Sequence, residues 1–108
     1  MRYEVIVTPE AQAGIEEAFA YIFERSPLNG ARWLRGLYRK IDSLESFPER
    51  YGWAQEREYL EEDLRVLVFK SHGVIFQVDK ASRIVYVLYV RHLRRRPIGM
   101  PKSREEEE

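Results

Sequence analysis

The chain contains no cysteine. That absence removes disulfides and thiolate metal sites and fits a reducing compartment. Histidine is nearly as scarce, with only His72 and His92, too few for a zinc site built on imidazoles. There is no glycine-rich phosphate loop, no internal repeat and no linker composition. No apolar run approaches a membrane span, and the apolar part of MRYEVIVTPE is too short for a signal peptide. No cofactor, no metal and no membrane partner is expected, and the expected location is cytoplasmic. Net charge is missing as well, since 18 Lys+Arg face 18 Asp+Glu.

What is present fits one folded domain. A length of 108 residues allows a single hydrophobic core, and 44% apolar with 33% charged residues is a globular composition. The zero net charge conceals an asymmetry. Residues 1–64 carry 8 basic and 13 acidic side chains, a net of −5, whereas residues 65–104 carry 10 and 1, a net of +9. The closing EEEE returns the total to zero. A +9 segment of that length creates a local field that attracts anionic partners whatever the overall pI. Its densest part is VRHLRRRPIG, where Arg91 to Arg96 hold four arginines and a histidine directly after an apolar run.

The order of elements is legible from periodicity. Tyr3 to Val7 reads as a strand, and Thr8-Pro9 as a helix start, with a hydroxyl cap and proline in the first turn. Ala11, Ile15, Ala18, Phe19 and Ile22 form one helical face, ended by Ser26-Pro27. A second helix is expected with Asn29 as its cap and Leu34, Leu37, Tyr38, Ile41 and Leu44 as its stripe, closed by Phe47-Pro48. The short connection makes the two helices an antiparallel hairpin. Arg32, Arg35 and Arg39 fall on the other side of helix two and read as a solvated face. Glu49 to Asp63 reads as a polar loop. Three strands follow, Leu64–Lys70, Val74–Val78 and Ile84–Val90, joined by the turns Ser71-His72-Gly73 and Asp79 to Arg83. The last strand is apolar on both faces and belongs in the sheet centre, with helices covering one side. The expectation is an α+β domain, β-α-α-β-β-β, a helical hairpin packed on an antiparallel sheet over residues 1–97. Residues 98–108 are expected to be a disordered tail, with the alternative that the glutamates fold back over the arginines.

Several stretches, in order, resemble the RelE/ParE superfamily of toxins from type II toxin–antitoxin modules, also called plasmid stabilisation proteins. They are VIVTPEAQAGIEEAFAYI, SPLNGARWL, IDSLESFPERYG, DLRVLVFKSHGVIFQV and IVYVLYVRHLRRRP, spanning residues 3–97. No single one is decisive; the ordered set is specific. RelE-like members cut messenger RNA on the ribosome, and ParE-like members act on DNA gyrase. The nuclease branch uses lysines and arginines with a C-terminal tyrosine, or a glutamate–histidine pair, to move protons at the 2′-hydroxyl and leaving oxygen. Here Gly73 or Val74 stands where the nuclease arginine is usual, and no tyrosine follows Tyr89. DLRVL, with Arg65, and VRHLRRRP match the ParE-like branch better.

The resemblance therefore implies a ParE-like toxin that binds and inhibits a macromolecular target such as DNA gyrase. The alternatives are a RelE-like ribosome-dependent endonuclease and a non-toxic remnant that still binds an antitoxin. Target or nucleic-acid contact is expected at Lys70, Arg91, His92, Arg94, Arg95 and Arg96. No catalytic set stands out; the candidates are Arg65, His92 and Arg95, which with Lys70 would form an altered basic site. Arg65 has a structural reading too, as an ion pair with Glu61 or Glu62. A cognate antitoxin is the partner the resemblance implies in every case.

Overall fold

The computed structural model describes residues 2–101. Its elements run β1 (Glu4–Val7), α1 (Pro9–Arg25), α2 (Pro27–Asp42), two 3₁₀ turns (Ser43–Glu45 and Pro48–Arg50), the short α3 (Arg57–Leu60), β2 (Leu64–Phe69), β3 (His72–Asp79) and β4 (Ile84–His92). The expected α+β architecture is present. β4 occupies an inner position in the order β1-β4-β3-β2, as its apolar run on both faces requires. β2, β3 and β4 form an antiparallel meander, and β1 joins β4 in parallel, with Val5 opposite Val85 and Val7 opposite Val87. Between β3 and β4 the register slips by one residue, because Ile75 faces Tyr89 while Phe76 faces Val87. Leu88 is the extra residue of this bulge.

Capping chemistry fixes the hairpin. Thr8 accepts the Ala11 amide at 3.3 Å and donates its own hydroxyl to the Val87 carbonyl at 2.9 Å, so one residue starts α1 and ties it to β4. Ser26 acts at both helices. Its amide donates to the Ile22 carbonyl at the end of α1, and its Oγ accepts the Asn29 amide at the start of α2. The cap is therefore Ser26 rather than Asn29, since Pro27 already occupies the first helical position. α2 ends at Asp42, short of the expected Phe47. Ser43 returns its hydroxyl to the Lys40 carbonyl at 2.6 Å, and the chain tightens into a 3₁₀ turn that still buries Leu44. Gly14 lets α1 approach the sheet closely, because a Cβ there would sit 2.5 Å from the Val90 carbonyl oxygen.

The main core lies between the hairpin and one sheet face: Ala11, Ile15, Trp33, Leu37, Ile41 and Leu44 against Leu67, Val74, Phe76, Val85, Val87 and Val90. Trp33, absent from the expected stripe, is among its largest members. Side chains alternate along strands, so Leu64, Val66 and Ile75 point to the opposite face, where Ala54, Leu60, Leu88 and Tyr89 join them in a second, smaller cluster. Residues 49–63 are therefore more than a connecting loop. They run beside β2, with Trp53 bridged to Arg65, and then fold across the face that the helices leave open.

The β2–β3 turn is also tighter than expected. Phe69 faces His72 directly, leaving only Lys70 and Ser71 in the turn, with φ of 52° at Lys70. His72 and Gly73 belong to β3, and β4 continues past Val90 to His92. Of the expected tail, Ile98 and Gly99 are seated against the domain, the Ile98 amide bonded to Glu56 and Gly99 close beside Leu60, while the Met100 amide closes a local turn on the Pro97 carbonyl. Residues 102–108, including the glutamates proposed to shield the arginines, lie outside the described residues.

Candidate target-contact surface

Alternation along the end of β4 separates the basic residues that stand together in sequence. Arg91 and His92 are consecutive and project to opposite faces. Arg91 turns under the sheet toward residues 55–60 and is buried, 7% exposed. There its Nε and Nη2 donate to the two carboxylate oxygens of Glu56, itself 0% exposed. Nη2 also reaches the Gln55 side-chain oxygen at 3.4 Å, and Nη1 the Arg95 carbonyl at 3.2 Å. The basic run places Arg91 among the expected contact residues. Its guanidinium is instead an internal group, committed to the buried Glu56 carboxylate, which is costly to bury without bonded partners.

His92 takes the helix-side face. Its ring lies 5.0 Å from that of His72, which lies 5.2 Å from Trp33, all near edge-to-face. The Nδ1 of His92 accepts the Arg94 amide at 3.1 Å, so this imidazole shapes the turn that follows. His72 is buried, and its Nδ1 has no hydrogen-bond partner among the described residues. Burial pushes the His72 pKa below its ordinary value, and the neighbouring His92 and Arg95 push it the same way.

After His92 the chain turns sharply. Leu93 donates to the Ser71 carbonyl at 2.8 Å and Arg95 to the His92 carbonyl at 3.0 Å, which fastens the turn to the β2–β3 hairpin. Arg94, Arg95 and Arg96 are exposed on it. Arg95 makes a 3.0 Å ion pair with Glu17 of α1, in which both side chains remain two-thirds exposed. No ion pair to Arg94 occurs among the described residues. Arg94 to Met100 line a shallow concavity of about 590 Å³ whose charged side chains are all arginine. Lys70 sits on the adjacent β2–β3 turn, its ammonium 5.7 Å from the Phe69 ring.

Arg65 lies elsewhere. It faces Phe76 in the register, whereas His92 faces His72; four strand residues separate those partners, about 13 Å along the strand. Arg65 donates to the carbonyls of Tyr51 at 2.6 Å and Glu49 at 3.1 Å, and stacks over Trp53 at 4.1 Å. Its carboxylate neighbour is Glu49, at 3.8 Å, rather than Glu61 or Glu62, and Glu49 also pairs with Lys80 at 3.1 Å. These bonds pin the 49–53 segment to the sheet edge. The candidates Lys70, His92 and Arg95 gather at one end of the sheet, and Arg65 stands at the other.

Sequence reasoning missed Glu56 and Gln55. Both lie in a stretch, AQEREYLEED, in which a buried carboxylate looks like its exposed neighbours. Among the described residues there is no group of three or more His, Asp or Glu able to hold a metal ion. No helix among the described residues is long and apolar enough to cross a membrane.

The family model of the ParE toxin of type II toxin–antitoxin systems, parDE, matches residues 5–97. No curated protein matches the chain. Among solved structures, a chromosomal ParDE toxin–antitoxin system from P. aeruginosa superposes with a TM-score of 0.69 at 13% identity, covering 85% of this chain and 97% of that one. The RelBE2 toxin–antitoxin complex from Mycobacterium tuberculosis gives 0.64 at 19% identity, covering 85% and 92%. An archaeal RelE–RelB complex from Pyrococcus horikoshii gives 0.56 at 16% identity, covering 89% and 100%. At these identities the structural likeness concerns the fold.

Proposed function

The chain belongs to the ParE toxin family of type II toxin–antitoxin systems, and from that premise we propose that it inhibits DNA gyrase by binding, through the arginine turn at the exit of β4. The observation that carries this reading is the turn itself: Arg94, Arg95 and Arg96 exposed together around one concavity, on a backbone fastened to the neighbouring hairpin. Fixed cations on an exposed turn suit an anionic contact, and binding through them weakens as salt rises. The protein would work in the cytoplasm, where gyrase acts.

The RelE-like alternative needs its basic groups around one scissile phosphate. Arg65 stands about 13 Å along the strand from the level of His92 and is committed to the Tyr51 and Glu49 carbonyls, which argues against a shared site. A cognate antitoxin is the natural partner, since the structurally similar toxins were solved in complexes with theirs. Tyr21, Phe23 and Leu28 at the hairpin tip are exposed and available for such a contact.

The deciding experiment is gyrase supercoiling with purified protein, run beside toeprinting on translating ribosomes. Supercoiling should stop at micromolar protein, and antitoxin should restore it. Full supercoiling with codon-positioned cuts would move the protein to the nuclease branch. Inactivity in both assays and in induced cells, with antitoxin still bound, would mark a non-toxic remnant.

A further inference from the structure

Glu56 is a fully buried carboxylate. A side chain of that kind costs several kcal/mol to bury unless every oxygen is satisfied. Its two oxygens take three donors from two places in the chain: Arg91 Nε and Nη2 from the end of β4, and the Ile98 amide, at 2.9 Å, from beyond the arginine turn. Arg91 closes the circuit by donating Nη1 to the Arg95 carbonyl inside the turn. The segment is also seated sterically. Gly99 has φ of 88°, and a Cβ there would come within 2.6 Å of Leu60 on α3. Both ends of the stretch from Arg91 to Ile98 thus meet at one carboxylate, and the three exposed arginines lie on the arc between them.

We infer that the buried Glu56–Arg91 pair is a latch whose role is to position the arginine turn, making Glu56 and Arg91 positioning residues for target binding. This rests on the reading that the turn contacts the target. An apolar pair of similar volume would cover the same sheet face without desolvating two charges. The ionic pair adds hydrogen bonds to the Arg95 carbonyl and the Ile98 amide, which an apolar pair cannot form. Those two bonds are what hold the arc.

The test replaces both partners, Glu56→Met with Arg91→Met, in the full-length chain. The variant should still melt cooperatively, while trypsin cuts after Arg94 and Arg95 at least tenfold faster than in the wild type. Gyrase inhibition should weaken at least tenfold. A folded variant cut at the wild-type rate, or one equally potent despite faster cutting, overturns the latch. Should the paired variant fail to fold, Glu56→Gln is read by hydrogen exchange. Acceleration at the Ile98 amide that exceeds that at Phe76 supports the latch, and equal acceleration at both overturns it. A wild type inactive on gyrase defeats the target reading alone, because the cleavage and exchange ratios still decide the latch.

Discussion

The two ends of the sheet use the same residue type to opposite purpose. At one end Arg65 gives its guanidinium to two backbone carbonyls and an indole face, with Glu49 and Lys80 completing a local charge network. At the other, four arginines in six positions divide their work. Arg91 is buried against Glu56, Arg95 pairs loosely with Glu17 in solvent, and Arg94 and Arg96 are exposed on the turn. The difference lies in what backbone geometry offers each guanidinium. Arg65 sits beside a strand-like segment whose carbonyls point at it, whereas on the turn the His92 carbonyl is taken by the Arg95 amide and the Arg95 carbonyl by Arg91. A run of like charge in sequence is therefore not one surface in space.

The sharpest way to break this comparison is to remove the inward arginine. Arg91→Ala leaves Glu56 buried without its cation, a change that costs about 3–5 kcal/mol. For a domain of this size, thermal denaturation should show a fall of at least about 12 °C. A fall below about 4 °C would mean that Glu56 finds water or another donor, and that the two ends of the sheet differ less than the geometry states.

Arg65→Ala should come next. It removes charged donors from the Tyr51 and Glu49 carbonyls and a cation from the Trp53 face, costing about 1.5–3 kcal/mol. The loss should be local, because those bonds fasten residues 49–53 to the edge of β2. Hydrogen exchange is expected to accelerate at the amides of Ala54 and Val66, which bond across that edge, and to leave the end of β4 unchanged. Equal acceleration at both ends would show one cooperative unit where two are expected.

How much of this was legible before folding follows from the kind of signal each feature carries. The strands, both helices and the inner place of β4 are written in apolar spacing, which reports burial directly. Thr8-Pro9 was readable as a helix start because the residues that cap are few. Ser26 reads only as a terminator, since one serine capping one helix while ending another leaves no separate mark. The covering role of residues 49–63 was hidden because only Ala54 and Leu60 of that stretch reach the second cluster, too few for a period. The inward turn of Arg91 is hidden for a related reason. Charge counts add up side chains, and only strand alternation, referred to the correct register, shows which of two neighbouring residues turns inward.

His72 offers a gentler test, of slope rather than of loss. Its folded pKa lies below the ordinary 6.5, first through burial and then through His92 and Arg95. As pH falls through 6.5 the unfolded chain gains a proton that the folded chain refuses, so stability declines toward the lowered folded value and levels off beneath it. Above about pH 7 the residue contributes no pH dependence. Denaturant midpoints measured from pH 7.5 to 5 should drift down in the wild type and drift less in His72→Phe, which also removes a buried Nδ1 with no hydrogen-bond partner among the described residues. Parallel slopes in the two proteins would mean that His72 takes its proton freely.

The smallest effect on stability should belong to the outward arginines, and that smallness is informative. A double-mutant cycle on Arg95 and Glu17, whose ion pair is two-thirds exposed at both ends, should return no more than about 0.5 kcal/mol, shrinking with salt. Arg94→Ala should change stability within about 0.5 kcal/mol, as exposed substitutions away from buried networks do. Potency against the target should behave in the opposite way, falling severalfold for Arg94→Ala while the melting curve stays in place. If it also fell for Arg95→Ala and recovered when Glu17→Ala was added, Glu17 would be orienting Arg95 at the contact. A loss for Arg95→Ala indifferent to Glu17 would instead make the pair a resting arrangement that the target displaces.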